Sequence, residues 1–411
     1  MEKGDERSYI YKVIAAFCIG WAIIYADRTA LYPMLKIIGE DFNLTGSQTG
    51  AITSAYFLFY VAMQIPAGIW GDKYGLKRIL VVMYLLAGIG MLLMGLKATS
   101  YVTLLIFIAL HGIGAGAYYP AAFGTTLNTV PPETKGISTA VINSGMSLGL
   151  VLGLASAGPI YNYFQDWKMP FLVLAVPTIL MAFVYQIVIK DIRPSQGEKV
   201  PFSAIIKDKN LMLINCAIFC SLYGFWTVVT WGPTFFQAER GMGLTLSGIF
   251  TAIVSVTAIP AALTIGRISD CYGRKKLSLI LLPLAAACVF ATGYATSLTF
   301  LVIVLICYGL VGKLTWDPIA ISWVGDHVSA TKPQAMGTAT ALFNFSGMLS
   351  SIAAPVISGW LKDITGSLQT AFYLGGVIVL LGTLFIAFVD ETVNVSSNKT
   401  VNISTNNAEL K

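Results

Sequence analysis

The sequence predicts an all-α membrane protein: twelve transmembrane helices in two pseudo-symmetric six-helix bundles, with both termini in the cytoplasm. Two observations carry this expectation. The 411 residues are 56% hydrophobic and only 11% charged. That is too little charge to cover a soluble protein of this size, whereas lipid requires an apolar exterior. A short signature also occurs twice: Gly68, Asp72, Tyr74, Gly75, Lys77 and Arg78 recur 198 positions later as Gly266, Asp270, Tyr272, Gly273, Lys275 and Lys276. Each copy closes one long apolar segment and opens the next, so the repeat marks two homologous bundles in tandem.

A bilayer-crossing helix needs about 20 apolar residues. Runs of that kind lie near residues 9–31, 47–70, 77–97, 101–127, 136–163, 169–189, 211–236, 245–266, 276–296, 299–324, 334–361 and 368–389. The first run is too long for a signal peptide and lacks a small-residue cleavage site, so it reads as a span. The longest interior polar stretch, 190–210, carries Arg193-Pro194-Ser195-Gln196-Gly197-Glu198-Lys199 and reads as the linker between bundles 1–189 and 211–391. The tail 392–411 is rich in Asn, Ser and Thr and is expected to be disordered.

Orientation follows from the basic residues. Of 26 Lys and Arg, 19 fall on one side when the N-terminus is cytoplasmic, and only Lys36, Lys97, Lys168, Arg240 and Lys362 fall on the other. The sequons at Asn394, Asn398 and Asn402 then face the side without glycosylation. The net charge of +6 sits in short loops with no basic patch interleaved with aromatics, so nucleic acid is not an expected partner. Cys216 and Cys220 share a helix face, but no histidine or carboxylate stands near them to complete a metal site. Neither a metal nor an organic cofactor is expected.

The ionisable residues inside spans are the candidates for function, because each costs several kcal/mol unless paired or hydrated. Asp27 and Arg28 lie on span one, His111 on span four, and Lys313 and Asp317 on span ten. Spans one, four, seven and ten are the first helices of the four three-helix units, which suits a shared aqueous cavity. Each residue also has a plainer reading. Lys313 and Asp317 are four apart and fit a structural ion pair. His111, among Gly112, Gly114 and Gly116, fits a hydrogen bond to a neighbouring carbonyl. Asp27 and Arg28 are adjacent and point about 100° apart, which favours separate roles. Protonating Asp27 would leave this set one net positive charge, the complement of a monocarboxylate, so that proton and anion would reinforce each other.

The repeated signature reads as a gating loop. Gly68, Gly75, Gly266 and Gly273 suit close approach and tight turns. Asp72 suits the capping or charge complement of a helix N-terminus, Asp270 is its counterpart in the second gating loop, and Arg78 and Arg274 lie at the cytoplasmic interface.

Gly68-Ile-Trp-Gly-Asp72-Lys-Tyr-Gly75-Leu-Lys77-Arg78 resembles the loop signature of the major facilitator superfamily, with Leu76 where a basic residue is usual and Arg274 at that place in the second copy. Gly149, Gly153, Gly158 and Pro159 resemble a glycine–proline motif of the same superfamily. Four further segments resemble its anion:cation symporter branch of sugar-acid and sialic-acid transporters. They are Tyr25-Ala-Asp27-Arg28, Ser54-Ala-Tyr56 through Tyr60 to Gln64-Ile-Pro66, Thr230-Trp231-Gly-Pro233, and Phe343-Asn344-Phe-Ser-Gly347. The resemblance implies that Arg28 holds a substrate carboxylate and Asp27 couples protons. It further implies that Tyr25, Tyr60 and Asn344 line the substrate site, with Lys313 and Trp316 contributing from span ten. Relatives in this branch often carry an arginine and a carboxylate on span four, and Ile108–Gly116 has neither. Lys313 then supplies the missing cation, and Asp317 or His111 the missing titratable group.

The expectation is a monomeric proton symporter that imports a small organic carboxylate across the inner membrane of a prokaryote, with the proton as coupling ion and lipid as its surroundings. An anion exchanger or a multidrug exporter of the same fold is the alternative, and clustered cations argue against the exporter's apolar pocket. A membrane enzyme would need a nucleophile–base pair or metal cluster that the sequence does not supply.

Overall fold

The computed structural model describes residues 3–131, 134–192, 203–332 and 335–392. Residues 193–202 of the expected linker, and 393–411 of the tail with its sequons, lie outside the described residues. Among the described residues there are sixteen helices and no strand. Twelve helical segments are long and apolar enough to cross a membrane. Large apolar side chains such as Val102, Leu180, Ile187, Leu263 and Leu384 are exposed, as a lipid-facing surface requires.

The first half runs α1 (Lys3–Thr29), α2 (Leu31–Asp41), α3 (Gly46–Tyr74), α4 (Leu76–Lys97), α5 (Tyr101–Gly116), α6 (Tyr118–Thr129), α7 (Lys135–Phe164) and α8 (Met169–Val188). The second runs α9 (Ser203–Ile206), α10 (Lys209–Glu239), α11 (Leu244–Tyr272), α12 (Arg274–Tyr294), α13 (Leu298–Val311), α14 (Lys313–Thr331), α15 (Met336–Thr365) and α16 (Gln369–Ala387).

Three expected spans are broken helices. Span one is α1 followed by α2 and reaches Asp41, ten residues beyond its expected end. Its break at Ala30 lies three residues before Pro33, whose ring displaces the carbonyl of Thr29 and removes a helical donor. Span four breaks at Ala117, again three residues before a proline, Pro120. Span ten breaks at Gly312, between α13 and α14. The ionisable residues stand beside two of these breaks: Asp27 and Arg28 just before one, Lys313 just after another.

By contact the residues form two compact units. Of the described residues, one unit holds those up to 192 with 229–255 and 355–370; the other holds 203–228, those between 256 and 354, and 371–392. The first unit thus includes the Glu239 end of α10, the Leu244 end of α11 and the Thr365 end of α15.

In the first unit, α1 is held by α7 through a stripe of small residues. A Cβ at Gly145, Gly149 or Gly153 would fall on the carbonyls of Cys18, Ala22 and Ala26 respectively. The other flank of α1 is held by tyrosine hydroxyls: Tyr84 donates to the Gly20 carbonyl at 2.7 Å, and Tyr118 donates to that of Phe17. Gly149→Leu would force α1 away from α7, an overpacking worth about 1–3 kcal/mol. The detergent-solubilised variant is expected to melt about 5 °C lower or to aggregate, as read by fluorescence-detected gel filtration after heating. An unchanged melting curve would remove the stripe as the anchor of α1.

At the far end of this unit α3 begins with a capping box between Thr45 and Gln48. Its first amides also meet a carboxylate from α15. Asp363 accepts from Gly46 N at 2.5 Å, Ser47 N at 2.8 Å and Ser47 Oγ at 2.6 Å. Gly46 and Gly359 meet backbone to backbone, as do Gly50 and Pro355. Trp231 Nε1 donates to the Pro355 carbonyl at 3.0 Å, and Gln237 Nε2 to that of Pro33 at 3.1 Å.

In the second unit Asp208 caps α10, its Oδ1 accepting from Leu211 N at 3.2 Å and from His327 Nε2 at 3.0 Å, with Lys332 Nζ at 3.8 Å from Oδ2. Burial alone would raise the Asp208 carboxyl, but the His327 hydrogen bond, the Leu211 amide and the neighbouring His327 and Lys332 side chains hold it below the usual range. A carboxylate depressed by folding stabilises the fold above its unfolded pKa of about 3.9, and that contribution is lost as pH falls through the folded value. Asparagine still caps but carries no charge. Asp208→Asn is therefore expected to lower the melting temperature at pH 7, with the gap to wild type closing below about pH 4. A gap that persists in acid would assign the loss to packing.

Candidate functional site

The signature repeats are turns of one residue rather than loops. Gly75 stands alone between α3 and α4 and Gly273 alone between α11 and α12, with φ of 103° and 98°, a region that glycine enters without strain. Asp72 is consequently still inside α3, exposed, and does not cap α4; the N-cap is Gly75, with no side-chain bond. This corrects the capping role expected of Asp72. The close approach expected at the leading glycines is also absent. A Cβ at Gly68 would meet only Pro120 at 3.8 Å, and one at Gly266 would meet nothing within 4 Å. The tight positions are Gly71, set against the side chain of Leu76, and Gly75, set against the carboxylate of Asp191.

The two copies differ chemically. In the second, Arg274 is buried and bonds Asp270 at 3.1 Å and Asp326 at 2.5 Å. Glu391 caps α12 by accepting from the amides of Arg274 at 3.1 Å and Lys275 at 2.9 Å. In the first, Leu76 stands where Arg274 stands and packs against the Gly71 and Gly124 positions, while Arg78 is exposed. The ionic arrangement is thus a property of the second copy. Asp326 and Glu391 were not legible as its partners, being 52 and 117 residues from Arg274.

The buried charges of the first unit lie in the last turn of α1. Asp27 is 0% exposed and Arg28 4%. Their side chains diverge, as their adjacency on the helix requires. The Arg28 guanidinium carbon lies 3.5 Å from the Tyr25 ring centroid, with Phe57 at 5.1 Å, Tyr56 at 5.9 Å and Tyr60 at 6.0 Å. These aromatic faces stabilise a cation by their quadrupoles while leaving its planar fork suited to a carboxylate. Arg28 also ends a helix, where a cation complements the dipole. The Tyr56 and Tyr60 rings stack at 5.8 Å, and Gly112 and Gly116 of α5 approach the carbonyls of the same two residues.

Asp27 Oδ2 lies 2.7 Å from Thr178 Oγ1 on α8, and the same hydroxyl lies 3.0 Å from the Leu174 carbonyl. A hydroxyl has one proton, so two arrangements alternate. Facing a carboxylate, Thr178 donates to Asp27. Facing the protonated acid, it accepts from Asp27 and donates to Leu174. Both charge states of Asp27 are satisfied on the Oδ2 side without movement of the backbone.

His111 is 1% exposed, and its Nδ1 lies 3.1 Å from the Ala87 carbonyl, which only an N–H can satisfy. Neutral His111 therefore carries its proton on Nδ1 and presents Nε2 as an acceptor. Asp27 Oδ1 and His111 Nε2 are both buried without a protein hydrogen-bond partner. Asp27, Arg28 and His111 line one cavity with Tyr32, Thr53 and Tyr56, of about 10 Å³, the size of a single water site. Sequence reasoning did not find Thr178 or Thr53.

In the second unit Lys313 Nζ and Asp317 Oδ2 form an ion pair at 2.7 Å in the first turn of α14, and Lys313 lies 5.6 Å from the Phe225 ring. Trp316 is fully buried, and its Nε1 donates to Ser278 Oγ at 2.8 Å. Its polar edge is thereby used inside the unit. Asn344 is half-buried on α15.

The profile described as Major Facilitator Superfamily matches residues 17–355 and 249–405. A probable sulfoacetate transporter of Cupriavidus necator is 24% identical, over 94% of this chain and 95% of that protein. A hexuronate transporter of Bacillus subtilis is 25% identical, over 92% and 94%. Among solved structures, a bacterial homolog of the human lysosomal transporter Spinster, in an inward-facing and occupied conformation, superposes with a TM-score of 0.77 at 16% identity. It covers 93% of this chain and 96% of that one. At that identity the match speaks for the fold alone.

Proposed function

The chain belongs to the Major Facilitator Superfamily, and from that premise we propose that it carries a small organic carboxylate or sulfonate into the cell by proton symport. It is a multi-pass membrane transporter whose relatives are named for organic anions. That agreement supports the anion:cation symporter branch read from the motifs. In the proposal Arg28 takes the anion bidentately, and Tyr25 and Tyr60 form the aromatic wall beside it. Asp27 takes the coupled proton, and His111 stands at the next proton site across the small cavity.

The observation that carries the reading is the alternation open to Thr178. A buried carboxylate with a partner for each protonation state is what a reversible proton site needs, and it lies one residue from the buried cation. Protonation of Asp27 raises the net charge of the site by one and favours anion entry; anion entry favours retention of the proton. Lys313, Trp316 and Asn344 remain proposed substrate contacts of the second unit on the strength of the resemblance, with Asp317 neutralising Lys313. The contacts around Asp363 and Trp231 are proposed as the closed outer gate, and the Arg274 network as a latch at the cytoplasmic side. The cell membrane is the proposed location and the monomer the proposed working form.

Counterflow tests the carrier reading. Proteoliposomes preloaded with unlabelled acid are diluted into trace labelled acid, using a panel of sulfoacetate, hexuronates and hexarates. At least one acid is expected to give a transient overshoot of label. Absence of overshoot across the panel, from protein that is folded and inserted, would contradict carriage of this anion class.

A further inference from the structure

Lys313 and Trp316 stand at the start of α14, and the opposite end of that helix is tied to the rest of the second unit. Trp323, Asp326 and His327 are spaced i, i+3 and i+4 and so share a face. Trp323 Nε1 donates to the Asp390 carbonyl, past the end of α16, at 3.0 Å. Asp326 accepts from Arg274 Nε, at the start of α12, at 2.5 Å. His327 Nε2 lies 3.0 and 3.1 Å from the two carboxylate oxygens of Asp208, at the start of α10. One turn of α14 thus joins three helix ends. The break at Gly312 interrupts the helix toward α13, so side-chain ties of this kind hold α14 in place.

Among these side chains only an imidazole ordinarily changes charge between pH 5 and 8. Its Nε2 faces a carboxylate, so neutral His327 carries its hydrogen there and leaves Nδ1 to take up a proton. Uptake at Nδ1 keeps the Nε2–H bond and turns it into an ion pair. Burial would raise the Asp208 carboxyl, yet the hydrogen bonds from His327 and the Leu211 amide hold it low, and it stays ionised throughout. The side chains are 14% and 13% exposed, enough to meet water but little enough to limit screening by salt. The neighbouring charges have other engagements. Lys332 Nζ lies 3.8 Å from Asp208 Oδ2, and Arg274 is shared by Asp270 and Asp326. Glu391 caps α12, Asp390 accepts from Asn210 Nδ2 at 3.0 Å, and Lys207 and Lys209 are exposed.

We propose that His327 and Asp208 form a proton-sensitive clasp on α14: acid on this side fastens the helix and slows transport, and alkali loosens it. This rests on the chain being a carrier of small anions. On the orientation given by the basic residues the clasp faces the cytoplasm, so a symporter that brings in protons slows itself as the cytoplasm acidifies. The clasp is distinct from the coupling at Asp27, which belongs to the other unit.

The test removes the coupling proton and asks whether pH still acts. Exchange of an acid that gives counterflow is measured with equal pH on both sides, at about pH 5.5 and about pH 8. The proteins are Asp27→Asn, Asp27→Asn/His327→Gln and Asp27→Asn/Asp208→Asn. Asp27→Asn is expected to exchange at least about threefold more slowly in acid, the scale of one partly exposed ion pair. Both double variants are expected to exchange equally fast at the two pH values. Exchange indifferent to pH in Asp27→Asn overturns the clasp, as does a dependence that survives His327→Gln. Hydrogen exchange followed by mass spectrometry, corrected for the intrinsic effect of pH on amides, gives a readout that needs no transport. Wild-type amides of 320–331 are expected to be better protected in acid, and those of His327→Gln equally protected at both pH values. Protection that ignores pH in wild type, or that still follows it in His327→Gln, overturns the clasp. The two readings fail separately: absence of counterflow from every variant removes anion carriage, and the amides alone then decide whether the clasp exists.

Discussion

Arg28→Ala is expected to reduce organic-anion uptake at least about 100-fold while leaving a folded, inserted protein. Each hydrogen bond to a charged group contributes about 1.5–3 kcal/mol, and a bidentate carboxylate makes two. Since about 1.4 kcal/mol is a factor of ten, loss of both spans two or more decades in affinity. Arg28→Lys separates charge from geometry: it keeps the cation but gives up the planar fork and the stacking on Tyr25, so an intermediate loss is expected. Radiolabel uptake into proteoliposomes, with gel filtration as the folding control, checks both. Uptake by Arg28→Ala within a few-fold of wild type would remove Arg28 from the site.

Asp27→Asn is expected to abolish pH-gradient-driven accumulation and to leave exchange within a few-fold of wild type. The asparagine amide donates to Thr178 Oγ1 as the protonated acid would, and Thr178 still donates to the Leu174 carbonyl. The variant is then held in the anion-accepting charge state and cannot release a proton. Loss of exchange together with accumulation would make Asp27 a structural residue. Retention of both would move coupling to His111 or Asp317.

The sequence made the number of spans legible because a window of about 20 residues reads bilayer thickness, and that signal survives errors at either end. Helix ends were less legible, because helices continue past the apolar zone on backbone hydrogen bonds that hydropathy does not see. Span one runs on to Asp41, span eight to Tyr272 and span ten to Thr331 for this reason. The breaks at Ala30 and Ala117 had a signal in Pro33 and Pro120. Divergence of Asp27 and Arg28 followed from helical geometry alone. Their partners did not: Thr178 is 151 residues from Asp27 and looks like any other threonine in an apolar run. The capping role expected of Asp72 failed because a single glycine makes the turn, which leaves the aspartate one turn too early. The ion pair of Lys313 and Asp317 was legible from spacing, whereas the burial of the Trp316 indole N–H against Ser278 required the tertiary fold.

In the proposed transport cycle proton and anion bind adjacent residues and move together. This coupling is tested most directly by accumulation in proteoliposomes under an imposed pH gradient, acid outside, with the membrane potential clamped by potassium and valinomycin. Using an acid that gives counterflow, wild type is expected to concentrate the anion above its external level, and an uncoupler should collapse that gradient. Asp27→Asn should only equilibrate it. Concentrative uptake that ignores the pH gradient, or that persists in Asp27→Asn, would contradict the account.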